Sequence, residues 1–462
     1  MKKFAKFGVL VLIAALVCVA LPAQAQDGTT TTYNRIDEGT DWGFVTTMLI
    51  VDLQAEVAQG SVYPDTFSVY AERSDARLEE PLLEEGEMTV VEAYVSDGSG
   101  NPLQNGNFAT LIMEIGPTIS ISAALNYGPS VENPERMFND WTQNVYTITQ
   151  EKAIGDIEGL VATEMNEYTR VLVDDFEIGK ASYEDEEFGL IELPYAYYAP
   201  ADDEVHPLIV WLHGGGEGGS DATIPLSANK AATFASEETQ AIFGGAYVLV
   251  PQAPTMWLED GTEDGSMFTI LSKYTRSVQD LVESYVAENP NIDTNRIYVG
   301  GPSNGGFLTV RMVVDYPDYY AAAIPVCEVF DDDILTDEEL EAYVDMPIWF
   351  VTSATDMVLA HEYAVQMYDR LRALGSEEVY ISFLPRVIDE TGLYANEDGS
   401  DYEYNGHWSW IYVYNNHLAQ IIDGENVVGR LYGKIVENSA EMSENIDGDV
   451  VTILEWWAAQ SK

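Results

Sequence analysis

A single serine in a glycine-rich stretch, residues 297–307, is the first candidate for chemistry. A run of β-branched and aromatic residues ends there, and the segment from Gly301 to Gly305 fits the pattern G-x-S-x-G around Ser303. This pattern is typical of a tight turn from strand to helix that exposes the serine hydroxyl. Apolar residues at helical spacing follow, so the free N–H groups of the new helix would point at the bond under attack. We therefore predict that Ser303 is a nucleophile; the alternative is a glycine-rich turn with an incidental serine.

An acid must follow the serine if the serine is to act. A serine hydroxyl is a weak nucleophile near neutral pH, and it needs a histidine base that an acid orients. When the nucleophile lies in this kind of turn, the acid and then the histidine follow it along the chain. Asp356 is the best candidate, because it comes just after a predicted buried strand, at the edge where Ser303 should lie. Asp389 and Glu390 are the rival acids, and capping of the next helix is the alternative role for Asp356.

His407 is the histidine that best fits the role of base. It follows the last clear predicted strand, in a polar loop that contains glycine. His417 lies within a predicted helix, where packing or capping is the more common role. His361 follows Asp356 too closely to serve as its partner, and it begins another predicted helix. The predicted base is therefore His407.

Two backbone N–H groups should hold the negative oxygen of a tetrahedral intermediate. One is that of Asn304, directly after the predicted nucleophile. The other is in the loop 213–220, which reads HGGGEGGS after a predicted strand, and Gly214 or Gly215 is the expected donor. Residues without side chains let the backbone approach a substrate closely. A phosphate-binding loop is the competing interpretation, but this loop lacks the lysine that such loops carry.

Three further side chains are candidates for the walls of a substrate cleft. Gln252 and Trp257 follow a predicted strand, and Trp408 follows the predicted base. Ordinary loop packing is the alternative role for Gln252 and Trp257. The acidic run 331–333 could suggest calcium, yet in so acidic a chain a solvated loop is the simpler interpretation. We therefore expect neither a metal site nor an organic cofactor.

The 462-residue chain is long enough for two or three domains, and residues 1–25 predict an export signal. Lysines open this segment, an apolar run too short to span a bilayer follows, and a small-x-small site ends at Ala25. We therefore expect a secreted protein, extracellular or periplasmic, with no membrane span after the signal. Cleavage near Ala25 would remove Cys18 and leave Cys327, so no internal disulfide could form. The apolar surroundings of Cys327 predict a buried thiol.

The charge of the chain narrows its partners. The formal net charge is −57, from 78 acidic and 21 basic residues. Nucleic acids and anionic lipid surfaces would repel such a protein, so neither is an expected partner. The acids are spread along the chain, which is typical of a solvated surface that keeps a protein soluble. Adaptation to high salt, where screening relieves self-repulsion, is a further hypothesis.

The spacing of apolar residues divides the mature chain into two parts. Residues 27–40 are polar and threonine-rich, and we expect a loose leader there. Residues 41–175 show short strand-like runs between turn residues, which predicts an all-β sandwich. The acidic stretch 182–187 predicts a linker or a hairpin tip. Across residues 188–462 strands alternate with helices, which predicts an α/β fold with a mostly parallel sheet covered by helices on both faces.

These motifs together resemble the α/β-hydrolase superfamily, and more closely secreted bacterial esterases with an immunoglobulin-like domain before the catalytic one. The second part is also similar to polyester depolymerases, to feruloyl esterase-like enzymes and to the catalytic domain of prolyl oligopeptidases. The residues that carry the likeness are 213–219, 293–298, the serine turn, Gly406, His407 and Trp408, and in the first part 42–43, 50–53, 90–97 and 146–150. The resemblance implies that Ser303 is the nucleophile, Asp356 the acid and His407 the base. Pro302 departs from the apolar residue that usually precedes the nucleophile.

The function that these observations favour is that of a secreted serine hydrolase that cleaves carboxylic esters through an acyl-enzyme. The expected substrate is a small-molecule or polymeric ester. Two alternatives stay open: a serine peptidase of the prolyl oligopeptidase type, and a non-catalytic polymer-binding protein on the same fold. The intact set of serine, acid and histidine argues against the second of these.

Overall fold

A computed structural model of the protein describes residues 29–131, 133–262, 271–341, 344–423, 426–431 and 449–462. The predicted export signal, residues 1–25, and Cys18 lie outside the described residues. Two eight-stranded sheets dominate the described part, one on each side of residue 175. None of the helices described has the length and apolar character needed to span a membrane.

The first part of the chain is an all-β unit, as predicted. Its strands are β1 (Thr29–Thr40), β2 (Gly43–Ala58), β3 (Phe67–Ser74), β4 (Leu82–Met88), β5 (Val90–Ser96), β6 (Asn105–Met113), β7 (Leu125–Pro129), β8 (Met137–Trp141), β9 (Gln143–Gln150) and β10 (Leu160–Arg170). Eight of them pair in the order β4-β3-β9-β10-β1-β2-β6-β5, and β7 and β8 form a separate hairpin. The hydroxyls of Thr46 in β2 and Tyr146 in β9 are 2.8 Å apart, although two strands separate β2 from β9 in the sheet. The sheet therefore folds over a single core, which gives the predicted sandwich.

The prediction of a loose leader over residues 27–40 is wrong for the described residues 29–40. They form β1, which lies inside the sheet, parallel to β10 and antiparallel to β2. Threonine favours strands, and the polar residues of β1 are paired within the fold. Arg35 donates to Asp37 from Nε at 2.8 Å, and both side chains are buried. The sheet thus begins before the predicted domain start at residue 41. The prediction missed β1 because charged residues that pair in the interior look exposed in the sequence.

The second part carries the other large sheet. Its strands are β11 (Glu177–Asp185), β12 (Gly189–Tyr198), β13 (His206–Trp211), β14 (Tyr247–Pro251), β15 (Ile292–Pro302), β16 (Ala322–Val326), β17 (Ile348–Ser353) and β18 (Val379–Leu384). Their order is β11-β12-β14-β13-β15-β16-β17-β18, and the pairings from β14 to β18 are parallel. The acidic stretch 182–187 ends β11 and enters the turn to β12, so it is a hairpin and the sheet begins before residue 188.

Helices and small sheets complete this part of the chain. The helices are α1 (Thr223–Ala228), α2 (Glu237–Phe243), α3 (Thr275–Glu288), α4 (Asn304–Asp315), α5 (Asp337–Glu341), α6 (Glu362–Ala373), α7 (Trp410–Tyr414) and α8 (Ile453–Ala458). The short strands are β19 (Val387–Ile388), β20 (Glu403–Tyr404), β21 (Ala419–Asp423), β22 (Asn426–Leu431) and β23 (Asp449–Thr452). Alternate residues of β13 enter two separate cores: Ile209 lies in one, Leu208 and Val210 in the other. Both faces of the sheet are therefore covered, which confirms the predicted α/β architecture.

The end of the chain packs beneath the strand that leads to Ser303. The ring of Trp457 in α8 lies 5.5 Å from that of Tyr298 in β15 and 6.2 Å from that of Trp211 in β13. The Tyr298 hydroxyl donates to the carbonyl oxygens of Ala458 (3.2 Å) and Gln460 (3.0 Å). Residues more than 150 positions apart thus share one core, and α8 closes it.

The acidic run 331–333 is not simply a solvated loop. Asp332 is buried, and its carboxylate pairs with Arg370 at 2.8 Å. The same guanidinium pairs with Asp337 at 2.9 Å. This part of the run therefore anchors α6 to the turn before α5.

Candidate active site

Ser303 lies at the sharp turn between β15 and α4. Its backbone has φ 56° and ψ −117°, a conformation that side-chain-bearing residues rarely adopt, and its N–H donates to Val326 at 2.8 Å. A Cβ on Gly301 or Gly305 would collide with the carbonyl oxygen of Leu212. Glycine is therefore required on both sides of the serine, and the strained turn presents its hydroxyl beyond the end of the strand.

The structure brings Ser303, His407 and Asp356 together in one chain of hydrogen bonds. The distance from Ser303 Oγ to His407 Nε2 is 3.0 Å, and from His407 Nδ1 to Asp356 Oδ2 it is 2.8 Å. Asp356 follows the end of β17, and His407 lies in a short 3₁₀ turn after β20. With Nδ1 donating to the carboxylate, Nε2 is free to accept the serine proton. The arrangement can activate a serine for nucleophilic attack.

The surroundings of the acid and the base stabilise their charged forms. Burial opposes ionisation of Asp356, but the hydrogen bond from His407 and those from the backbone hold the pKa of Asp356 below its usual value. Its Oδ1 accepts from the N–H groups of Val358 (2.8 Å) and Leu359 (2.9 Å). Burial likewise opposes the His407 cation, but Cys327 and Asp356 outweigh burial and raise the pKa of His407 above its ordinary value. An imidazolium at His407 is therefore stabilised.

The rival acids and histidines lie elsewhere and have other partners. His417 is not inside a helix as predicted but follows the end of α7, where its Nδ1 lies 2.6 Å from Glu390 Oε2. Asp389 accepts from the hydroxyl of Thr391 at 2.9 Å and shapes its own loop. His361 directly precedes α6, as predicted. Neither rival acid is bonded to His407.

The two predicted sources of backbone donors face the same cleft. Asn304 is the first residue of α4, so its N–H has no acceptor within the helix. Gly214 and Gly215 follow β13, and a Cβ on Gly215 would lie 3.8 Å from Cβ of Asn304. Both glycines line the cleft beside Ser303. The two loops can therefore converge on one negative oxygen, as the sequence predicts.

Gln252 and Trp257 do not line the cleft, contrary to prediction. Both are fully buried, and they brace the glycine-rich loop from behind. Gln252 donates to the carbonyl of Glu217 at 3.0 Å, and Trp257 Nε1 donates to the carbonyl of His213 at 3.0 Å. Their amide and indole donors are satisfied by loop carbonyls, which is why these polar atoms can be buried.

His213 is a further brace of this loop. Its Nδ1 lies 2.6 Å from the carbonyl oxygen of Gly214, and its Nε2 accepts from the N–H of Ala253 at 2.9 Å. Burial lowers the pKa of His213 to about 4, although the Gly214 carbonyl favours the cation. The ring therefore stays neutral at ordinary pH and holds the loop in a fixed position.

The cleft in front of Ser303 lies between the two parts of the chain. Its volume is about 1130 Å³, and apolar side chains make up most of its lining. The second part supplies Trp408, as predicted, with Trp410 and Leu258. The first part supplies Trp42 and Phe44, together with residues of the β7–β8 hairpin. The all-β unit therefore forms one wall of the candidate site.

Sequence reasoning missed several residues of the cleft, among them a polar pair, Glu217 and Asn139. Glu217 is buried in the glycine-rich loop and lines the cleft, and Asn139 lines it from β8. A lone acid inside a glycine-rich loop is a signal that sequence can offer for Glu217. No local pattern marks Asn139, because its partners lie in the other part of the chain.

Comparison with known families matches both parts of the chain. Residues 32–163 match the esterase Ig-like N-terminal domain, and residues 273–349 match the prolyl oligopeptidase family. A solved structure described as a thermostable esterase superposes with a TM-score of 0.67 at 22% identity, over 93% of this chain and 100% of that one. At that identity the likeness establishes the fold.

A curated relative matches a shorter stretch. Poly(3-hydroxyalkanoate) depolymerase C of Paucimonas lemoignei is 30% identical over 128 residues, which is 26% of this chain. The aligned region spans 27% of the length of that enzyme. The match therefore relates part of the chain to a depolymerase and leaves the activity of the whole protein to be argued from the site.

Proposed function

We propose that this α/β-hydrolase superfamily protein, whose first domain is of the esterase Ig-like type, is a serine esterase that works through an acyl-enzyme. The observation that carries the proposal is the hydrogen-bonded chain from Ser303 through His407 to Asp356 at the strained turn. The esterase relatives of both domains support the choice of an ester bond.

The geometry suggests the following course of reaction. Ser303 Oγ attacks the ester carbonyl carbon while its proton passes to Nε2 of His407. The N–H groups of Asn304 and of Gly214 or Gly215 stabilise the tetrahedral oxyanion. Collapse breaks the bond to the alcohol, which leaves with the proton from His407. Water then attacks the acyl carbon while its proton passes to His407 Nε2. His407 returns that proton to Ser303 Oγ as the bond from this oxygen to the acyl carbon breaks, and the carboxylic acid leaves.

The lining of the cleft favours uncharged esters with apolar parts. Of the lysines and arginines in the described residues, Arg136 alone lines the cleft. Arg136 pairs with Glu259 at 3.3 Å. Trp42, Phe44 and Trp408 offer broad apolar surfaces to a substrate. The net charge of −57 disfavours anionic substrates. We propose a neutral ester, small or polymeric, that is met outside the cytoplasm after export.

The bond that is cleaved can be tested with one pair of substrates. p-Nitrophenyl butyrate and N-butyryl-p-nitroanilide share the acyl group and differ only in the atom that leaves. We expect the ester to be hydrolysed with a kcat/KM roughly 100-fold higher or more, because an esterase site need not protonate a poor amine leaving group. Comparable values for the two substrates would favour the peptidase alternative, which the match of residues 273–349 to the prolyl oligopeptidase family supports. Turnover of neither substrate, with no labelling by a fluorophosphonate probe, would favour the non-catalytic alternative.

The pH profile offers an independent check on the base. His407 must be neutral to accept the serine proton, and its raised pKa keeps it protonated to a higher pH than an ordinary histidine. Activity should therefore be lost as the pH falls, with a midpoint for kcat/KM above about 6.5. Initial rates on p-nitrophenyl butyrate between pH 5 and 9 measure this midpoint. A midpoint at or below the ordinary histidine value would contradict the assigned environment.

A further inference from the structure

The β7–β8 hairpin of the first domain packs directly on the glycine-rich loop of the second. A Cβ on Gly218 would lie 2.7 Å from Cζ of Phe138, and one on Gly216 would lie 3.4 Å from the ring of Tyr127. At Gly218 only glycine leaves room for the Phe138 ring against the loop backbone. The loop that carries the expected oxyanion donors therefore rests on a surface supplied by the other domain.

Asn139 makes the polar contacts of this interface. Its Nδ2 donates to the carbonyl oxygen of Gly216 at 3.2 Å and lies 3.4 Å from Glu217 Oε1. The N–H of Glu217, in the same peptide unit as the Gly216 carbonyl, faces the carbonyl of Gly214 at 3.4 Å. This peptide unit is thus held at both ends. In a run of three glycines such restraint matters, because glycine rotates readily about both backbone torsions.

Glu217 has a buried carboxyl group beside the expected oxyanion donors. It is 3% exposed, its Oε2 has no hydrogen-bond partner, and a Cβ on Gly214 would lie 2.8 Å from that oxygen. Burial raises the pKa of Glu217 to about 7, against the opposing influence of Gly214, Asn139 and His407. The titratable groups that interact electrostatically with Glu217 are His407, Tyr127 and Tyr414. The side chain therefore packs directly against the loop backbone at Gly214, beside the expected oxyanion donors.

We propose that Asn139 and Glu217 are a positioning pair that sets the geometry of the oxyanion loop, so that the first domain completes the catalytic site. The inference rests on the proposed esterase function. Asn139 fixes the Gly216–Glu217 peptide from outside the loop, and the Glu217 side chain fills the space against Gly214 from within. Neither residue touches the reacting atoms; both act through the direction of the loop N–H groups.

The test uses variants of the full chain with p-nitrophenyl butyrate. Asn139→Leu and Glu217→Ala should each lower kcat about tenfold or more with little change in KM, since a displaced donor weakens the transition state more than the ground state. Affinity for a butyl boronic acid, which mimics the tetrahedral state, should fall by a similar factor. Glu217→Gln keeps the size and the acceptor that faces Asn139, and it should retain most of the wild-type kcat.

A matched control separates positioning from folding. Asn126 lies in β7 of the same hairpin and donates to Asp75 at 2.9 Å, away from the glycine-rich loop. Asn126→Leu should keep kcat, and the thermal midpoints of all variants record any loss of stability. Equal losses in Asn126→Leu and Asn139→Leu, or wild-type kcat in Asn139→Leu and Glu217→Ala, would overturn the proposal. Activity that survives in Ser303→Ala would instead refute the esterase mechanism, so the two failures are distinct.

Discussion

Replacing Ser303 by alanine should lower kcat for p-nitrophenyl butyrate by roughly 10⁴- to 10⁶-fold, the scale found for removal of a serine nucleophile. The Ser303 hydroxyl is the group that would bond to the acyl carbon. It is also the hydroxyl that lies 3.0 Å from His407 Nε2, the proposed proton acceptor. Fold stability should change little, because alanine and serine meet the same strain at φ 56°. Steady-state rates and covalent labelling by a fluorophosphonate measure the loss.

A control shows whether the loss is specific to Ser303. Ser461→Ala changes an exposed serine far from the turn and should leave both turnover and labelling intact. A Ser303→Ala protein that keeps more than a few per cent of the wild-type rate would remove Ser303 from the mechanism. Labelling that persists in that variant would point to another nucleophile.

Replacing Asp356 by asparagine should lower kcat by about 10⁴-fold with a small change in KM. The amide is nearly isosteric, but it cannot accept the Nδ1 proton in the same way and it cannot stabilise the imidazolium. The imidazole would then favour the tautomer in which Nε2 carries a proton. In that tautomer Nε2 cannot accept the serine proton. Rates and the thermal midpoint, measured together, separate loss of catalysis from loss of fold.

The rival acid provides the matched comparison. Glu390 is also buried and paired with a histidine, His417, at 2.6 Å. Glu390→Gln should affect stability more than turnover, because His417 takes no part in the proposed reaction. A larger fall in kcat for Glu390→Gln than for Asp356→Asn would reverse the assignment of the acid.

The sequence alone selects the main residues of the candidate site, and the reasons are local. The pattern around Ser303 encodes a turn that only glycine neighbours permit, and the order of serine, acid and histidine leaves few candidates downstream. The structure places Asp356 and His407 within hydrogen-bond distance of their predicted neighbours. The α/β-hydrolase fold with its N-terminal Ig-like domain is confirmed by strand order and by the related families.

The failures of sequence analysis concern groups whose surroundings come from distant residues. β1 looks polar, yet Arg35 and Asp37 pair inside the sheet. Trp257 follows a strand end in the expected place, but its indole turns away from the cleft to a loop carbonyl. Asn139 meets Gly216 across 77 positions of sequence, and no spacing rule anticipates such a contact. Burial and partners of this kind are properties of the folded chain.

The shared wall of the cleft changes how the first domain is understood. Its β7–β8 hairpin carries Phe138 and Tyr127 to the glycine-rich loop, so the domain contributes to the site as well as to its surroundings. Substitutions in this hairpin can therefore alter both the apolar lining and the support of the oxyanion loop. The effects can be told apart, since the lining acts mainly on KM and the support on kcat.

The position of α8 bears on the order in which the two parts of the protein fold. Trp457 completes the packing under β15, so the sheet that carries Ser303 lacks part of its interior until α8 has docked. The first large sheet uses no strand beyond Arg170, and domains generally fold as units in the order in which they are made. The all-β unit can thus form before α8 has docked on the second sheet. The strand that ends in the Ser303 turn is fully packed only once α8 lies against it.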